Sequence, residues 1–231
     1  MIYIGTAGWA LGAAVKSMFG EGASHLARYS TRFAAVEINS SFYRPHRAGT
    51  YARWAASVPS HFKFAVKLPR VITHVNRLKK SEEALDEFQT QVQGLGAKLG
   101  PVLIQLPPSL NFDLDMARDF LKAVRRRFPG ILALEPRHRG WCTAAAAALL
   151  RDFAVVQVEA DPAPVPNPQG KAGKRYLRWH GSPVMYRSSY KDVVLRTLAE
   201  TLTDGDWCIF DNTAEGAAIP NALRIQQLIR P

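Results

Sequence analysis

Glu37 and Asn39 stand two residues apart in Val36-Glu37-Ile38-Asn39, and the same spacing links Glu135 with Arg137, Gln157 with Glu159, and Arg178 with His180. Each pair sits in or just past a short apolar run, where alternate side chains of an extended chain share one face. Lys67, Gln105 and Asp211 close three further runs of this kind. Carboxylates, guanidiniums, an amine and an imidazole gathered on one face have the makings of general acid/base chemistry beside an anion. Two carboxylates in unlike surroundings separate their pKa values, one ionised by an arginine and one kept protonated by burial. Glu37 and Glu135 are the first candidates for that work and Asp211 the third. His180, with an ordinary pKa near ~6.5, is the candidate proton shuttle, and it precedes Gly181, where backbone can approach a ligand. Arg137, Arg178 and Lys67 would hold a phosphate or carboxylate, the arginines through a bidentate fork.

The catalytic candidates are therefore Glu37, Glu135, His180 and Asp211. The substrate-binding candidates are Trp9, Asn39, Tyr43, Lys67, Arg137, His138, Arg178 and Asn212. Trp9, Tyr43 and Trp141 fall just past strand ends, where an aromatic ring can line a pocket or stack on a sugar or base, or else join the core. Trp54 and Trp207 read as core. The plain alternative for the whole set is structural. Glu37, Glu135, Glu159 and Asp211 against Lys67, Arg137 and Arg178 nearly balance, as an ion network that holds strand ends in register would.

Ligand-competent types are present in Glu37, Glu135, His180 and Asp211, with His74 and His138 as further members. No HExxH, paired HxH or cysteine cluster accompanies them, and three nearby cations would compete with a divalent ion. The expectation is no metal and no cofactor. GxSxG is also absent, so Ser40 and Ser41 beside Glu37 form no nucleophile elbow.

The elements that must position these groups follow from apolar periodicity. Strands are predicted near Ile2–Gly5, Phe33–Ile38, Phe62–Lys67, Pro101–Leu106, Ile131–Glu135, Phe153–Glu159, Arg175–Gly181 and Asp206–Asp211. Helices are predicted over Ser81–Lys98, with Ser81 as N-cap, and over Met116–Phe128 after Asp113 or Asp115. Three more fall at Thr143–Arg151, Asp192–Leu202 and Asn221–Ile229. Between the sixth and seventh strands, Pro162, Pro164, Pro166 and Pro168 forbid a helix, so a stiff loop or a lid is expected there. Eight strands in a β-then-α rhythm give an α/β protein, most simply a single TIM-like (β/α)8 parallel barrel over residues 1–231 whose sixth crossover helix is replaced by the Pro-rich loop. An open doubly wound sheet is the alternative, but GxGxxG and GxxxxGK[ST] are both missing. In a barrel the outer face packs on helices, where unpaired charge costs several kcal/mol. The apolar parity (Val36, Ile38, Leu134, Val156, Val158, Phe210) suits that layer, so the polar parity is expected to point into the mouth.

The motifs also resemble a known family. Gly5-Thr6-Ala7-Gly8-Trp9, Val36 to Tyr43 (VEINSSFY), Val66-Lys67 with Ile72-Thr73-His74, and Gln105-Leu106-Pro107-Pro108 are similar to those of the YecE-like family, a domain of unknown function (domain of unknown function 72). So are Glu135-Pro136-Arg137-His138 with Trp141, Arg178-Trp179-His180-Gly181, and Phe210-Asp211-Asn212 with Asn221-Ala222. The resemblance covers nearly the whole chain. It implies a single TIM-like barrel and supplies no settled activity. Ala7 and Gly140 stand where serine is usual, so hydroxyl roles at those two places do not carry over.

The chain has 231 residues, 47% of them apolar, 16 Gly, 15 Pro and two Cys. That composition excludes collagen-like, disordered and disulfide-scaffold classes, and the paucity of cysteine points to a reducing compartment. No apolar run approaches the ~20 residues of a membrane span, and the uncharged start lacks the basic residues of a signal peptide. A cytoplasmic protein with no membrane association is expected. The net charge of +11 is spread evenly along the chain. It favours solubility or polyanion partners; the densest cluster, Lys122 with Arg125 to Arg127, reads as a solvated helix face. The leading expectation is an enzyme acting on an anionic, phosphate-bearing small molecule or nucleic-acid fragment, by hydrolysis, elimination or isomerisation. The alternatives are a non-catalytic nucleic-acid or phospholigand binder and an interaction scaffold. Oligomeric partners are not legible.

Overall fold

A computed structural model of the chain describes residues 1–166 and 173–229. Strands and helices alternate: β1 (Tyr3–Thr6), α1 (Ala13–Lys16), α2 (His25–Tyr29), β2 (Ala35–Ile38), α3 (Ala48–Ala56), β3 (Lys63–Lys67), α4 (Glu82–Val92), β4 (Leu99–Gln105) and α5 (Leu114–Arg127). Then come β5 (Leu132–Glu135), α6 (Ala144–Asp152), β6 (Val155–Gln157), β7 (Glu159–Asp161), β8 (Tyr176–Trp179), α7 (Asp192–Thr201), β9 (Trp207–Phe210) and α8 (Ala218–Ile229). Local chemistry sets several of these bounds. The Asp113 carboxylate accepts from Met116 N at 2.8 Å and the Thr143 hydroxyl from Ala146 N at 3.1 Å, which starts α5 and α6. The helix expected over 81–98 stops at Val92 and continues as a 3-10 turn, because Gly96 takes φ 52°, outside the helical region. No helix among the described residues is long and apolar enough to cross a membrane.

Every strand pairing among the described residues is parallel. β2-β3-β4-β5-β6 form one sheet and β1-β9-β8-β7 another. The ladders among the described residues therefore draw two open sheets rather than the single closed one expected. At one seam a lone bridge joins Ala7 to Glu37, with Gly8 N donating to Glu37 O at 2.9 Å. At the other the chain itself crosses, since Val158 lies between β6 and β7 and its N–H reaches Leu134 O at 2.9 Å. The strand expected over Phe153–Glu159 is thus two short strands that serve different sheets.

Alternation separates two cores. Strand residues of one parity (Val36, Ile38, Phe64, Val66, Ile104, Leu134, Cys208, Phe210) pack with helix residues such as Leu85, Phe88, Leu121 and Leu195. The other parity supplies Ala7, Ala35, Ala65, Leu103, Ala133, Val158, Tyr176, Trp207 and Ile209, drawn from both sheets. Trp207 stacks on Tyr3 at 4.7 Å and on Tyr176 at 6.1 Å, filling the space left by the alanines.

Strand six reverses the expected direction. Val156 and Val158 belong with the inter-sheet cluster, whereas Gln157 pairs in register with Leu134, and Glu159 with Leu177, on the helix-facing side. Among the described residues no helix lies between β7 and β8, so polar groups are tolerated on that outer face. Gln157 Nε2 donates to Pro166 O at 3.1 Å, and Glu159 lies 3.6 Å from Arg175, itself bound to Asp206. Pro168 lies outside the described residues.

Candidate functional site

Beyond the alanine layer the inward-facing positions turn polar: Glu37 on β2, Lys67 on β3, Gln105 on β4, Glu135 on β5, Arg178 on β8, and His180 and Asp211 just past β8 and β9. All are buried. They come from distant chain segments; Arg178 and Glu37, which bond to each other, are 141 residues apart. Arg178, fully buried, is the hub. Its Nε and Nη2 grip the two oxygens of Glu37 at 3.0 and 2.8 Å, Nη1 reaches Glu135 Oε2 at 2.6 Å, and Nη2 also reaches Asp211 Oδ2 at 2.8 Å. Four N–H contacts to three carboxylates nearly exhaust a guanidinium, which has five donors. The Tyr176 hydroxyl adds a 2.8 Å bond to Glu37 Oε2. Glu37 and Arg178 are thereby occupied with each other.

His180 bridges the remaining carboxylates. Nδ1 lies 3.1 Å from Asp211 Oδ2 and Nε2 lies 3.2 Å from Glu135 Oε1, which also accepts from Arg137 Nε and Nη2 at 3.0 and 2.7 Å. Burial works against charging His180, but the bonds to Asp211 and Glu135 outweigh it and raise its pKa. Burial likewise opposes ionisation of Glu135; Arg178, His180 and Arg137 override it and hold that carboxyl well below the usual range. Asp211 is lowered against burial too, chiefly by Arg178 and His180.

Lys67 is the exception. It is 5% exposed, yet no carboxylate among the described residues comes within ion-pair distance of its Nζ, which sits 4.2 Å above the Phe42 ring. Burial first, and then the charge of Arg178, bring its pKa down to about 8, while Glu37, Asp211 and Glu135 pull the other way. His74 packs edge-on against the same ring at 4.9 Å. Burial, Lys67, Arg70 and Arg137 press its pKa down to about 4, so its imidazole is neutral at pH 7.

The other candidates divide. Trp9 packs edge-on against Trp54 and lines a cavity of about 910 Å³ bounded by Thr6, Gly8, Val15, Ser188, Thr213 and Ile219, beside the charged cluster rather than over it. Asn39 is half-buried, and its Oδ1 has no hydrogen-bond partner among the described residues. Tyr43 is exposed and rests edge-on against Phe42. His138 accepts from Gly140 N at 3.0 Å and caps a turn. Asn212 is buried and ties Ser188 O to Asn221 Oδ1, both at 2.9 Å. Trp141 is core, donating to Leu110 O, and Trp207 is core as expected. Glu159, counted with the mouth charges from its parity, lies instead with Arg175 on the outer side. Three groups escaped the sequence reading. Tyr176 shares parity with Arg178 and was legible on that ground; Phe42 follows a strand end without a period; Tyr186, whose ring lies edge-on 5.5 Å from His180, comes from a loop with no pattern.

The donors that a metal would need are bound to guanidiniums, and among the described residues no three His, Cys, Asp or Glu side chains form a group that could hold one. The arginines of the basic cluster on α5 are also engaged. Arg125 donates to carbonyls of Phe128, Gly130, Phe153 and Ala154, and Arg127 pairs with Glu82 and Asp86.

Residues 3–231 match the sequence model of a family described as "Protein of unknown function DUF72". The chain is similar to UPF0759 protein YecE of Escherichia coli strain K12 (30% identical over 111 residues, 48% of this chain and 39% of YecE). It is also similar to UPF0759 protein YunF of Bacillus subtilis strain 168 (30% over 148 residues, 61% of this chain and 52% of YunF). The matched regions thus span from about two-fifths to about half the length of these relatives. Its fold is similar to the crystal structure of a DUF72 family protein from Thermotoga maritima, with a TM-score of 0.83 at 24% identity, covering 99% of each chain.

Proposed function

The chain belongs to the DUF72 family, and from its site we propose that it is an enzyme performing acid/base chemistry on a small, anionic, phosphate-bearing molecule at the C-terminal ends of its strands. The two sheets act in this reading as arcs of one TIM-like barrel over residues 1–231, a view supported by the Ala7–Glu37 bridge, the crossing at Val158 and the core that both sheets share. Barrels of this class build their sites at that end.

One observation carries the reading. Around the opening, Arg178, Arg137, Lys67 and His180, whose two ring nitrogens both face carboxylate oxygens as those of an imidazolium would, stand against only three carboxylates, and those three are joined to Arg178. The cluster is therefore short of negative charge, and an anion would complete it. Arg137 at the edge would meet that anion with the N–H groups it does not give to Glu135. His180 is the proton donor; Asp211, whose Oδ1 has no hydrogen-bond partner among the described residues, is the acceptor. Glu37, Arg178 and Tyr176 position the others.

The test is a thermal-shift and turnover screen with inorganic phosphate and a panel of phosphate monoesters. Wild-type protein is expected to gain stability with phosphate and to convert at least one ester; Arg137→Met should lose the shift, and His180→Asn the turnover. A wild type indifferent to every anion at low ionic strength would overturn the reading. Salt-dependent binding of DNA or RNA without product would favour the non-catalytic binder instead.

A further inference from the structure

We propose that Lys67 is a Schiff-base lysine, whose Nζ condenses with the carbonyl carbon of a small anionic aldehyde or ketone bound at the strand ends. The inference rests on the anionic-substrate reading above and narrows it to a carbonyl compound.

Three features of the amine carry it. First, Lys67 is buried at a strand end with its carboxylate neighbours already taken: Glu37, Glu135 and Asp211 all bond to Arg178, and none comes within ion-pair distance of Nζ. A lysine recruited to balance charge would touch one of them. Second, its close partner among the described residues is the face of Phe42 at 4.2 Å, an apolar support that leaves the lone pair of the neutral amine uncommitted. Third, burial and the charge of Arg178 outweigh the pull of Glu37, Asp211 and Glu135 on the amine, and Lys67 in turn acts on His74 along with Arg70 and Arg137. Burial and like charge are the two conditions that free a lysine nucleophile at neutral pH. The same cations, Arg137 above all, would hold the substrate's anionic group.

The step balances without an oxidant or reductant. The ammonium of Lys67 gives up one proton and the neutral amine attacks the carbonyl carbon, whose C=O pair moves to oxygen. A second N–H proton is lost as the carbinolamine settles. Two protons are returned to the carbinolamine oxygen, one through His180, the C–O bond breaks, and water leaves. The net change is ammonium plus carbonyl to protonated imine plus water. The imine then draws electrons from the adjacent carbon, where Asp211 is placed to take a proton.

Two probe aldehydes that carry anionic groups, pyridoxal 5′-phosphate and glyoxylate, test this with sodium borohydride and peptide mapping of the full-length protein. A single reduced adduct at Lys67, in preference to the nine other lysines, is the expected result, with several-fold less labelling under excess inorganic phosphate. Lys67→Met should take no adduct in that segment; if it fails to fold, the wild-type map decides. Labelling scattered over other lysines, or no adduct at Lys67 with either probe, overturns the proposal. Phosphate binding followed separately by thermal shift keeps the two claims apart. Binding without an adduct removes the imine and leaves the anion reading standing, and an adduct that phosphate does not suppress upholds the imine and removes the anion site.

Discussion

Replacing Lys67 by methionine should make the protein more stable. Methionine keeps the length of the stem and drops the charge. In the fold the amine titrates at about 8, against an ordinary 10.5. At ~1.36 kcal/mol per tenfold, that gap means roughly 3 kcal/mol acting against the charged amine at neutral pH. The lost contact with Phe42 returns about 0.5–2 kcal/mol, so a net gain of about 1–2.5 kcal/mol is expected. The pH dependence gives the argument its sign. Unfolded Lys67 holds its proton up to about 10.5 and folded Lys67 only up to about 8, so between these values rising pH favours the folded wild type. The variant has no such rise, and its advantage should shrink across that window. Urea unfolding of both proteins, followed by far-ultraviolet circular dichroism at about pH 7 and about pH 9.5, reads both quantities. A variant less stable than wild type at neutral pH, or an advantage that stays constant between the two, would refute the account of a desolvated, unpaired amine.

Arg178→Met should have the opposite effect, costing about 3–5 kcal/mol or more at neutral pH because three buried carboxylates lose their common cation. Glu135 and Asp211 are held low in the wild type, so their stabilisation is present above the ordinary carboxylate range and disappears as pH falls through their folded values; the difference from the variant should narrow toward acid, and equal urea midpoints at neutral pH would contradict the hub. His180, raised in the fold, contributes stability that is complete below ~6.5 and fades as pH rises through its folded value; His180→Asn should flatten that decline in a pH series of melting temperatures. Gly181→Ala should cost about 1–3 kcal/mol, since φ is +95° and a Cβ would lie 2.7 Å from Ser188 O; an unchanged melting temperature would show that the loop yields.

The places of the strands other than the sixth, which is two short strands where one was expected, their alternation with helices and the parity of Glu37, Glu135, Arg178 and His180 were legible along the chain, because apolar side chains mark a strand or helix face with a fixed period. The caps at Asp113 and Thr143 were local in the same way. Direction was not local. Gln157 and Glu159 carry the same alternation as Arg178 and His180, but point outward, because what covers a strand's outer face depends on whether a helix returns across it. The closure of the sheets likewise turns on one bridge between Ala7 and Glu37 and one crossing at Val158, which no periodicity marks.

Sequence alone determined which side chains share a strand face, because residue types and spacing fix that alternation; it grouped Glu37, Glu135, Arg178, His180 and Asp211 but misplaced Glu159. Only the tertiary structure decided how their charges are shared. Arg178 can take three carboxylates at once because β2, β5, β8 and β9 converge within reach of one guanidinium, and among the described residues Lys67 is left without a carboxylate partner because those three are already bound. Coulombic partnership depends on distances of a few ångströms between segments more than a hundred residues apart, and no one-dimensional pattern carries that information.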